Sequence, residues 1–340
     1  MTKVLRDERV TLSHGSGGKA MRDLISSVFT ESFQPESKED QARLMHDALL
    51  QPGARLAFTT DSYVVTPIEF PGGDIGKIAV CGTVNDLAVG GAKPLWLSAA
   101  FIIEEGTEIA LLRRIVASMV KEADKTGVKI VTGDTKVVGR GSADKVFITT
   151  SGVGIIPADR DLRADAIQPG DVAIVNGVLG DHGATILAAR GDMMLSSDLQ
   201  SDCAALGHLM EATCTAVPVR ACRDATRGGI ASALNEMAEA AGCAIEIDEE
   251  ALPLRPEVKG TCEILGLDPL YLANEGTLVL FVAAEHAEAA LAAMRSVDTG
   301  RGATVIGRAK AGRPMVTMRT AFGGTRIVDM LVGEQLPRIC

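Results

Sequence analysis

The residue best suited to covalent chemistry is Cys340, the last in the sequence, which follows Pro337-Arg338-Ile339. Chain ends stay mobile unless contacts tie them down, so a thiol there can be loaded at one place and processed at another. A prenylation signal is excluded, because Pro337 stands where that signal requires cysteine. Taken alone, a final cysteine is equally well explained as incidental, and the upstream motifs decide between the two interpretations.

Four aspartates of the first half occupy predicted loops or element ends: Asp47, Asp61, Asp86 and Asp134. Carboxylate oxygens suit Mg²⁺ that is held together with substrate phosphates. A single aspartate of this kind is more commonly a turn residue or a cap. Four of them, with Lys136 close behind Asp134, favour a phosphate site over that alternative.

A glycine-rich loop, His14-Gly15-Ser16-Gly17-Gly18, precedes a helical pattern. Free backbone N–H groups at the start of a helix bind anions. The loop does not match the Walker A pattern, and no convincing strand precedes it, as a dinucleotide fingerprint would require. The alternative is a flexible loop without a ligand. Together, the glycine-rich loop and the four aspartates predict an ATP-using site that serves a tethered thiol.

Other polar residues have plainer alternative interpretations. His14 and His182 also fit loop histidines without a role, Lys136 a surface ion pair, and Glu275 the start of a strand. The internal cysteines form no C-x-x-C pair, which gives no support to a zinc or thioredoxin-like site. They are expected to pack as small apolar side chains.

Composition limits the class of protein. The 340 residues carry a formal net charge of −10 without a long basic cluster, which argues against a nucleic-acid partner. The longest apolar runs are too short to span a bilayer, and the N-terminus lacks an apolar signal region. The odd number of cysteines favours a reducing compartment. We therefore expect a cytoplasmic protein that makes no membrane contact.

Periodicity predicts an α+β chain of two domains. The first domain covers residues 1–156, the second covers 157–329, and residues 330–340 form a mobile tail that carries Cys340. The elements predicted in the first domain are strands over 55–60, 94–103, 128–132 and 146–156 and helices over 75–89 and 108–126. In this scheme Asp61 and Asp134 follow the ends of strands.

Several motifs together resemble the HypE family, the carbamoyl dehydratases of NiFe-hydrogenase maturation, over nearly the whole chain. They are the glycine-rich loop, Thr60-Asp61-Ser62-Tyr63, Asn85-Asp86-Leu87-Ala88-Val89-Gly90-Gly91-Ala92, Gly133-Asp134-Thr135-Lys136-Val137-Val138, Gly180-Asp181-His182-Gly183-Ala184, Arg223-Asp224-Ala225-Thr226-Arg227-Gly228-Gly229, Asn274-Glu275-Gly276 and Pro337-Arg338-Ile339-Cys340. The terminal tetrapeptide is the most specific of these motifs.

The resemblance implies a two-domain fold like that of aminoimidazole ribonucleotide synthetase. The first sheet would close a β-barrel across a homodimer, with ATP near the interface, and the second domain would be a mixed α/β domain. Cys340 would receive a carbamoyl group from the carbamoyltransferase HypF. ATP-dependent dehydration would convert that group to a thiocyanate, and the cyanide would pass to iron on the HypC–HypD complex.

The resemblance also implies the site residues. The catalytic candidates are Cys340, Glu275, Lys136 and His14. The ATP-binding candidates are Gly15, Gly17, Gly18, Asn85, Gly133, Thr135 and Asp224. The Mg²⁺ candidates are Asp47, Asp61, Asp86 and Asp134. The sequence leaves open whether Glu275, Lys136 or His14 is the base that takes a proton from the carbamoyl nitrogen.

Two alternatives from other classes remain open at this point. A phosphotransferase similar to selenophosphate synthetase would be expected to carry a reactive cysteine near the glycine-rich loop, but the first cysteine here is Cys81, within a predicted helix. A non-enzymatic carrier would present the thiol of Cys340 to partners and use ATP as a switch. Such a carrier would leave ATP intact in a single-turnover assay.

Overall fold

The computed structural model describes residues 7–36, 41–191, 198–331 and 339–340. In these residues, two large β-sheets follow each other along the chain, and each is covered by helices. No helix in the described ranges is long and apolar enough to cross a membrane. Mixed α and β content arranged around two sheets agrees with the predicted α+β class.

The first sheet has the strand order β1-β6-β4-β5 among the described residues. Its strands are β1 (Arg55–Tyr63), β4 (Lys93–Glu104), β5 (Lys129–Val138) and β6 (Val146–Ile156). The pairs β1–β6 and β6–β4 are antiparallel, whereas β4 and β5 are parallel. A two-stranded ribbon of β2 (Glu69–Phe70) and β3 (Gly73–Asp74) precedes the first long helix.

Helices cover one face of this sheet. They are α1 (Lys19–Leu24), α2 (Glu31–Phe33), α3 (Ile75–Val89) and α4 (Ile109–Thr126), with a wider π-helical stretch over Ile25–Thr30. The Asp74 side chain caps α3 by accepting the Lys77 N–H at 2.9 Å. Because α3 is buried on nearly all sides, it acts as the shared wall between the two halves of the chain.

The opposite face of the first sheet is open. Alternation along β1 turns Leu56 and Phe58 outward, and they are 65% and 70% exposed. Ile102 on β4 lies on the same face and is 41% exposed. Large apolar side chains on a continuous open sheet face are typical of an interaction surface.

The second sheet has the order β13-β12-β9-β11-β7-β10-β8 in the described residues, and only its β12–β9 pair is parallel. Its strands are β7 (Val172–Val175), β8 (Val219–Asp224), β9 (Ala244–Asp248), β10 (Leu278–Val282), β11 (Thr304–Lys310), β12 (Met315–Arg319) and β13 (Thr325–Val328). Its helices are α5 (Asp181–Arg190), α6 (Gly207–Ala216), α7 (Gly229–Ala241), α8 (Pro256–Leu265) and α9 (Ala287–Arg295).

Two of the predicted strand ends are wrong. The sequence predicts that β1 ends at residue 60 and β5 at residue 132, but the strands continue to Tyr63 and Val138. Asp61 and Asp134 therefore lie inside strands. Asp134 is on the open face of the sheet, and Asp61, on the other face, contacts Arg227. The predicted helix over 75–89 is confirmed by α3.

The last two residues pack against the body of the protein. Ile339 is 5% exposed and belongs to an apolar cluster that combines residues of both halves, among them Ile186 and Cys203. Cys340 packs against the same cluster. The mobility predicted for the tail stays a prediction, and residues 332–338 of that tail lie outside the described residues.

Candidate active site

Cys340 lies where the first sheet meets the second half of the chain. Its main-chain carbonyl accepts the Val64 N–H at 3.1 Å, just after β1 ends. The Ile339 carbonyl contacts Nε2 of His182 at 2.7 Å. The guanidinium of Arg227 donates a hydrogen bond to the Cys340 thiol and also contacts Oδ1 of Asp61 at 3.2 Å. The thiol is thus fixed among polar groups from several elements.

The surroundings of Cys340 disfavour its thiolate. Burial raises the pKa of Cys340 to about 12, the nearby Glu275 carboxyl adds to the rise, and Arg227 opposes it. The docked thiol therefore keeps its proton at neutral pH. Because a protonated thiol is a poor nucleophile, this position suits a cysteine that already carries its group better than one that must attack.

Glu275 is buried beside the thiol, on a segment held by Asp202. The N–H groups of Glu275 and Gly276 each donate to the Asp202 carboxylate at 3.0 Å. Gly276 is required for close approach, because an added Cβ would collide with the Asp202 carbonyl oxygen. The chain bends at Glu275 and Gly276 without a positive φ at Gly276, so close approach rather than a left-handed conformation requires the glycine.

Burial and neighbouring carboxylates disfavour the charged form of the Glu275 carboxyl group. Burial raises its pKa well above the usual range, and the charges of Asp202, Asp224 and Asp61 add to the rise. Lys136, another candidate for the base, is exposed. Among the described residues Lys136 pairs with Asp134 at 3.4 Å on the open face of the first sheet.

Three aspartates, Asp61, Asp86 and Asp224, lie near one another and close to Glu275. Asp86 accepts the Thr59 hydroxyl at 2.9 Å. Burial, followed by the charge of Asp86, raises the pKa of Asp224 to about 6. Burial and, among the neighbouring charges, that of Asp61 also raise the pKa of Asp86. Mutual repulsion of this kind is relieved by a cation.

No preformed metal cage accompanies these acids, because the described residues contain no group of three or more metal-ligating side chains with suitable geometry. Mg²⁺ that arrives with phosphates needs only one or two protein carboxylates. The repelling set of Asp61, Asp86 and Asp224 fits that kind of binding. These three residues are therefore the candidates to hold Mg²⁺ together with ATP.

The four aspartates predicted as one metal set are not brought together. Asp134 lies on the open sheet face, whereas Asp61 faces α3, because strand alternation sends their side chains to opposite sides. Asp47 is exposed in the short helix Asp47–Leu50. Only Asp61 and Asp86 of the four share the neighbourhood of Cys340.

The glycine-rich loop lies against the edge strand β5. An added Cβ on Gly15 would come within 2.8 Å of Val137, and Gly17 has φ of +80°. His14 is buried, with Nδ1 accepting the Thr11 N–H at 3.0 Å and Nε2 lying 3.3 Å from Asp7. Its contacts hold the N-terminal loop, so the structure does not bring His14 to Glu275.

The other predicted nucleotide contacts have structural partners. The amide of Asn85 donates to the Ala204 carbonyl at 3.0 Å and accepts the Leu206 N–H at 2.7 Å. Gly133 leaves no space for a side chain beside the Ala99 carbonyl, and Thr135 is 5% exposed on the covered sheet face. Of the predicted set, Asp224 alone lies in the acid cluster, and the ATP contacts of the others stay predictions.

Sequence reasoning missed several residues of the site. Arg227 belongs to the motif of residues 223–229 and directly precedes two glycines, which was a usable signal. His182 carried a weak signal beside Gly183. Ser201 and Asp202 carried none, because their partners lie far away along the chain.

Comparison with known proteins places these features in a family. The family "AIR synthase related protein, N-terminal domain" matches residues 39–156, and "AIR synthase related protein, C-terminal domain" matches residues 168–318. The chain is 74% identical over 338 residues to carbamoyl dehydratase HypE of Rhodobacter capsulatus, with 99% of each chain covered. This chain belongs to the HypE family.

Solved HypE structures share the fold. The crystal structure of hydrogenase maturation protein HypE in complex with ATP has a TM-score of 0.91 and 47% identity, covering 97% of this chain and 99% of the other. The crystal structure of a HypE–HypF complex has a TM-score of 0.79 and 44% identity, covering 91% and 99%. The predicted resemblance is thereby confirmed.

The acid cluster predicts a pH-dependent gain in stability for Asp224→Asn. Because the folded-state pKa of about 6 exceeds the ordinary value of 3.8, the native state binds more protons between these values, and stability falls as pH rises through them. The variant should melt several degrees above the parent at neutral pH, with the difference shrinking below about pH 4. Thermal melts across this range measure it.

Asp298→Asn serves as the matched control, because that carboxylate is 87% exposed in a surface ion pair and contributes little. An Asp224→Asn variant whose melting temperature is unchanged, or lower, at neutral pH would show that the cluster does not strain the fold.

Proposed function

We propose that this chain is an ATP-dependent carbamoyl dehydratase that acts on a carbamoyl group carried by its own Cys340. The observation that carries the proposal is the seating of the Cys340 thiol between Arg227 and Glu275. The names of its HypE relatives and the ATP complex of one of them support it. The acid cluster beside the thiol supplies a place for a cation that accompanies a nucleotide.

The reaction requires the carbamoyl oxygen to leave. Hydroxide is a poor leaving group, so the γ-phosphoryl group of ATP must first be transferred to that oxygen. The C–O bond then breaks, phosphate leaves with its electron pair, and the nitrogen gives up two protons as the C≡N bond forms. The balance is S-carbamoyl plus ATP to thiocyanate, ADP and phosphate.

The residues around Cys340 have complementary roles in this proposal. Arg227, which touches the sulfur, can hold the carbonyl oxygen or the phosphoryl group in place. Glu275 is the candidate for proton transfer at the carbamoyl nitrogen. Its raised pKa favours the protonated form, so a nearby cation would help it to lose the proton before it acts as a base. Apolar packing of Ile339 against the same region excludes water.

ATP and Mg²⁺ belong to the proposal as substrate and metal. When bound, Mg²⁺ neutralises charge on the transferring phosphoryl group. Asp61, Asp86 and Asp224 would hold it, and the glycine-rich loop of Gly15, Gly17 and Gly18 would bind phosphates. We place Lys136 and Asp134 at the same site only in a dimer, because they face outward in one subunit.

We also propose a homodimer in which the open faces of two first sheets close a β-barrel. The exposed apolar residues Leu56 and Phe58 support this surface, since such residues are usually covered in an assembly.

Loading and delivery call for partners. A docked thiol with a pKa of about 12 is unsuited to accept a carbamoyl group, so the tail would leave the site for that step. The carbamoyltransferase HypF is the proposed donor, supported by the HypE–HypF complex of a relative. The HypC–HypD complex remains the proposed cyanide acceptor, from the resemblance alone.

The first alternative, a phosphotransferase with a reactive cysteine by the glycine-rich loop, is not favoured. Cys81 is completely buried in α3. The second, a thiol carrier, is separated from an enzyme by whether ATP is consumed.

Glu275→Gln should bind ATP and accept the carbamoyl group but lose the dehydration step, because a glutamine cannot exchange the proton. We expect dehydration to slow by about 100-fold or more. Intact mass of the carbamoylated variant after ATP addition measures loss of one water. Glu285→Gln on the surface is the control. A variant that loses water as fast as the parent would exclude Glu275 as the proton acceptor.

Asp61→Asn and Asp86→Asn should weaken Mg-ATP binding by roughly tenfold, because each removes a carboxylate from the proposed cation site. Calorimetric titration with Mg-ATP measures the effect, and Asp298→Asn is the exposed control. Unchanged affinity in both variants would show that these aspartates have only a structural role, which for Asp86 is to accept the hydrogen bond of the Thr59 hydroxyl.

Phe58→Asp should convert the proposed dimer to monomer, because a charge would be buried in the barrel interior. Light scattering on a sizing column reports the mass. Ile264→Asp, at a side chain that is 64% exposed on α8, is the matched control. A Phe58→Asp protein with the parent's mass would refute this interface.

A further inference from the structure

We propose that His182 and Ser201 form a binding site for the main chain of the tail and decide whether Cys340 occupies the active site. The proposal deepens the proposed function, since it concerns how the thiol reaches the reacting groups. Docking itself can be measured without ATP, HypF or turnover. His182 is a positioning residue here, because it touches the Ile339 carbonyl rather than the thiol.

The hydrogen bonds around His182 have only one consistent direction. The Ile339 carbonyl can only accept, so Nε2 of His182 must carry the proton of the 2.7 Å contact. In a neutral imidazole Nδ1 is then an acceptor, and the Ser201 hydroxyl must donate to it at 2.8 Å. Ser201 Oγ in turn accepts the Cys203 N–H at 3.1 Å. The body of the protein thus sets the tautomer that binds the tail.

The position of His182 keeps the ring neutral. It lies in the first turn of α5, where the helix dipole disfavours a cation. It is fully buried, and its ring packs edge-on against Phe70 with the two ring centroids 5.6 Å apart. Burial lowers its pKa to about 4. The donor at Nε2 is therefore present throughout the neutral pH range.

The site recognises backbone and shape together. The Ile339 carbonyl is held by His182 and the Cys340 carbonyl by Val64 N–H. The Ile339 side chain fills the apolar cluster between them. This combination selects an extended peptide with an aliphatic residue immediately before the cysteine. It also fixes the thiol by contacts that do not involve the thiol.

Alkylation of Cys340 tests the docking directly. The folded chain is treated with iodoacetamide, and peptide mass spectrometry follows modification at Cys340. His182→Leu should raise that rate by roughly tenfold, the cost expected for a lost hydrogen bond to a buried carbonyl. Ser201→Ala should raise it by a smaller factor. His182→Gln, which keeps a donor, should restore part of the slow rate.

His208→Leu is the matched control, because Nε2 of His208 also contacts a main-chain oxygen, that of Lys125, at 2.9 Å on the surface. It should leave alkylation of Cys340 unchanged. If His182→Leu fails to fold, Ser201→Ala tests the histidine contact, and Ile339→Ala, which removes the aliphatic side chain but keeps the carbonyl, tests the apolar part of the docking. Each should speed alkylation.

An unchanged rate in Ser201→Ala together with Ile339→Ala or folded His182→Leu would overturn the proposal. Equal rates for His182→Gln and His182→Leu would also overturn it, since they would assign His182 to packing alone. Failure of dehydration with normal alkylation behaviour would instead count against the proposed function.

Discussion

The buried carboxylate of Asp202 is the interaction on which the site depends. It accepts the N–H groups of Glu275 and Gly276 and the hydroxyl of Thr277. Burial raises its pKa while these bonds oppose the rise. Removing a partner from such a group costs about 1–3 kcal/mol. The same irregular segment supplies Ser201, so one set of contacts fixes both the candidate proton carrier and the binding site of the tail.

The acid cluster has the opposite energetic character. Asp86, Asp224 and Glu275 all have raised pKa values because they are buried and because carboxylates repel one another. A fold that gathers mutually repelling acids gives up stability when no cation is bound. Repulsion of this kind is useful where a cation and phosphates complete the site, since binding then removes a cost already present in the free protein.

The proposed reaction requires two environments for the Cys340 thiol. Inside the site its pKa of about 12 keeps it protonated, and its sulfur lies against Arg227. The carbamoyl loading that we propose needs a more reactive thiol in a more open place. Docking through the main chain reconciles these needs, because contacts at Ile339 are the same whether the sulfur is free or modified. A carried group can therefore enter where the thiol entered.

Local patterns in the sequence determined the elements and the family. The helix over 75–89 could be predicted because apolar residues follow helical spacing and glycines bound it. The glycine and aspartate motifs with the terminal cysteine indicated HypE. These signals lie within short stretches, so no tertiary contact was needed to detect them.

Tertiary structure alone decided which motifs meet. Because β1 continues to Tyr63 and β5 to Val138, strand alternation puts Asp61 toward α3 and Asp134 on the open face. The contact of His182 with Ile339 joins residues 157 positions apart. Asp202 likewise binds a segment that follows it by more than seventy positions. The residues that can do the chemistry could be identified from the sequence. Their partners are set by tertiary packing, because local spacing does not determine side-chain direction or long-range contacts.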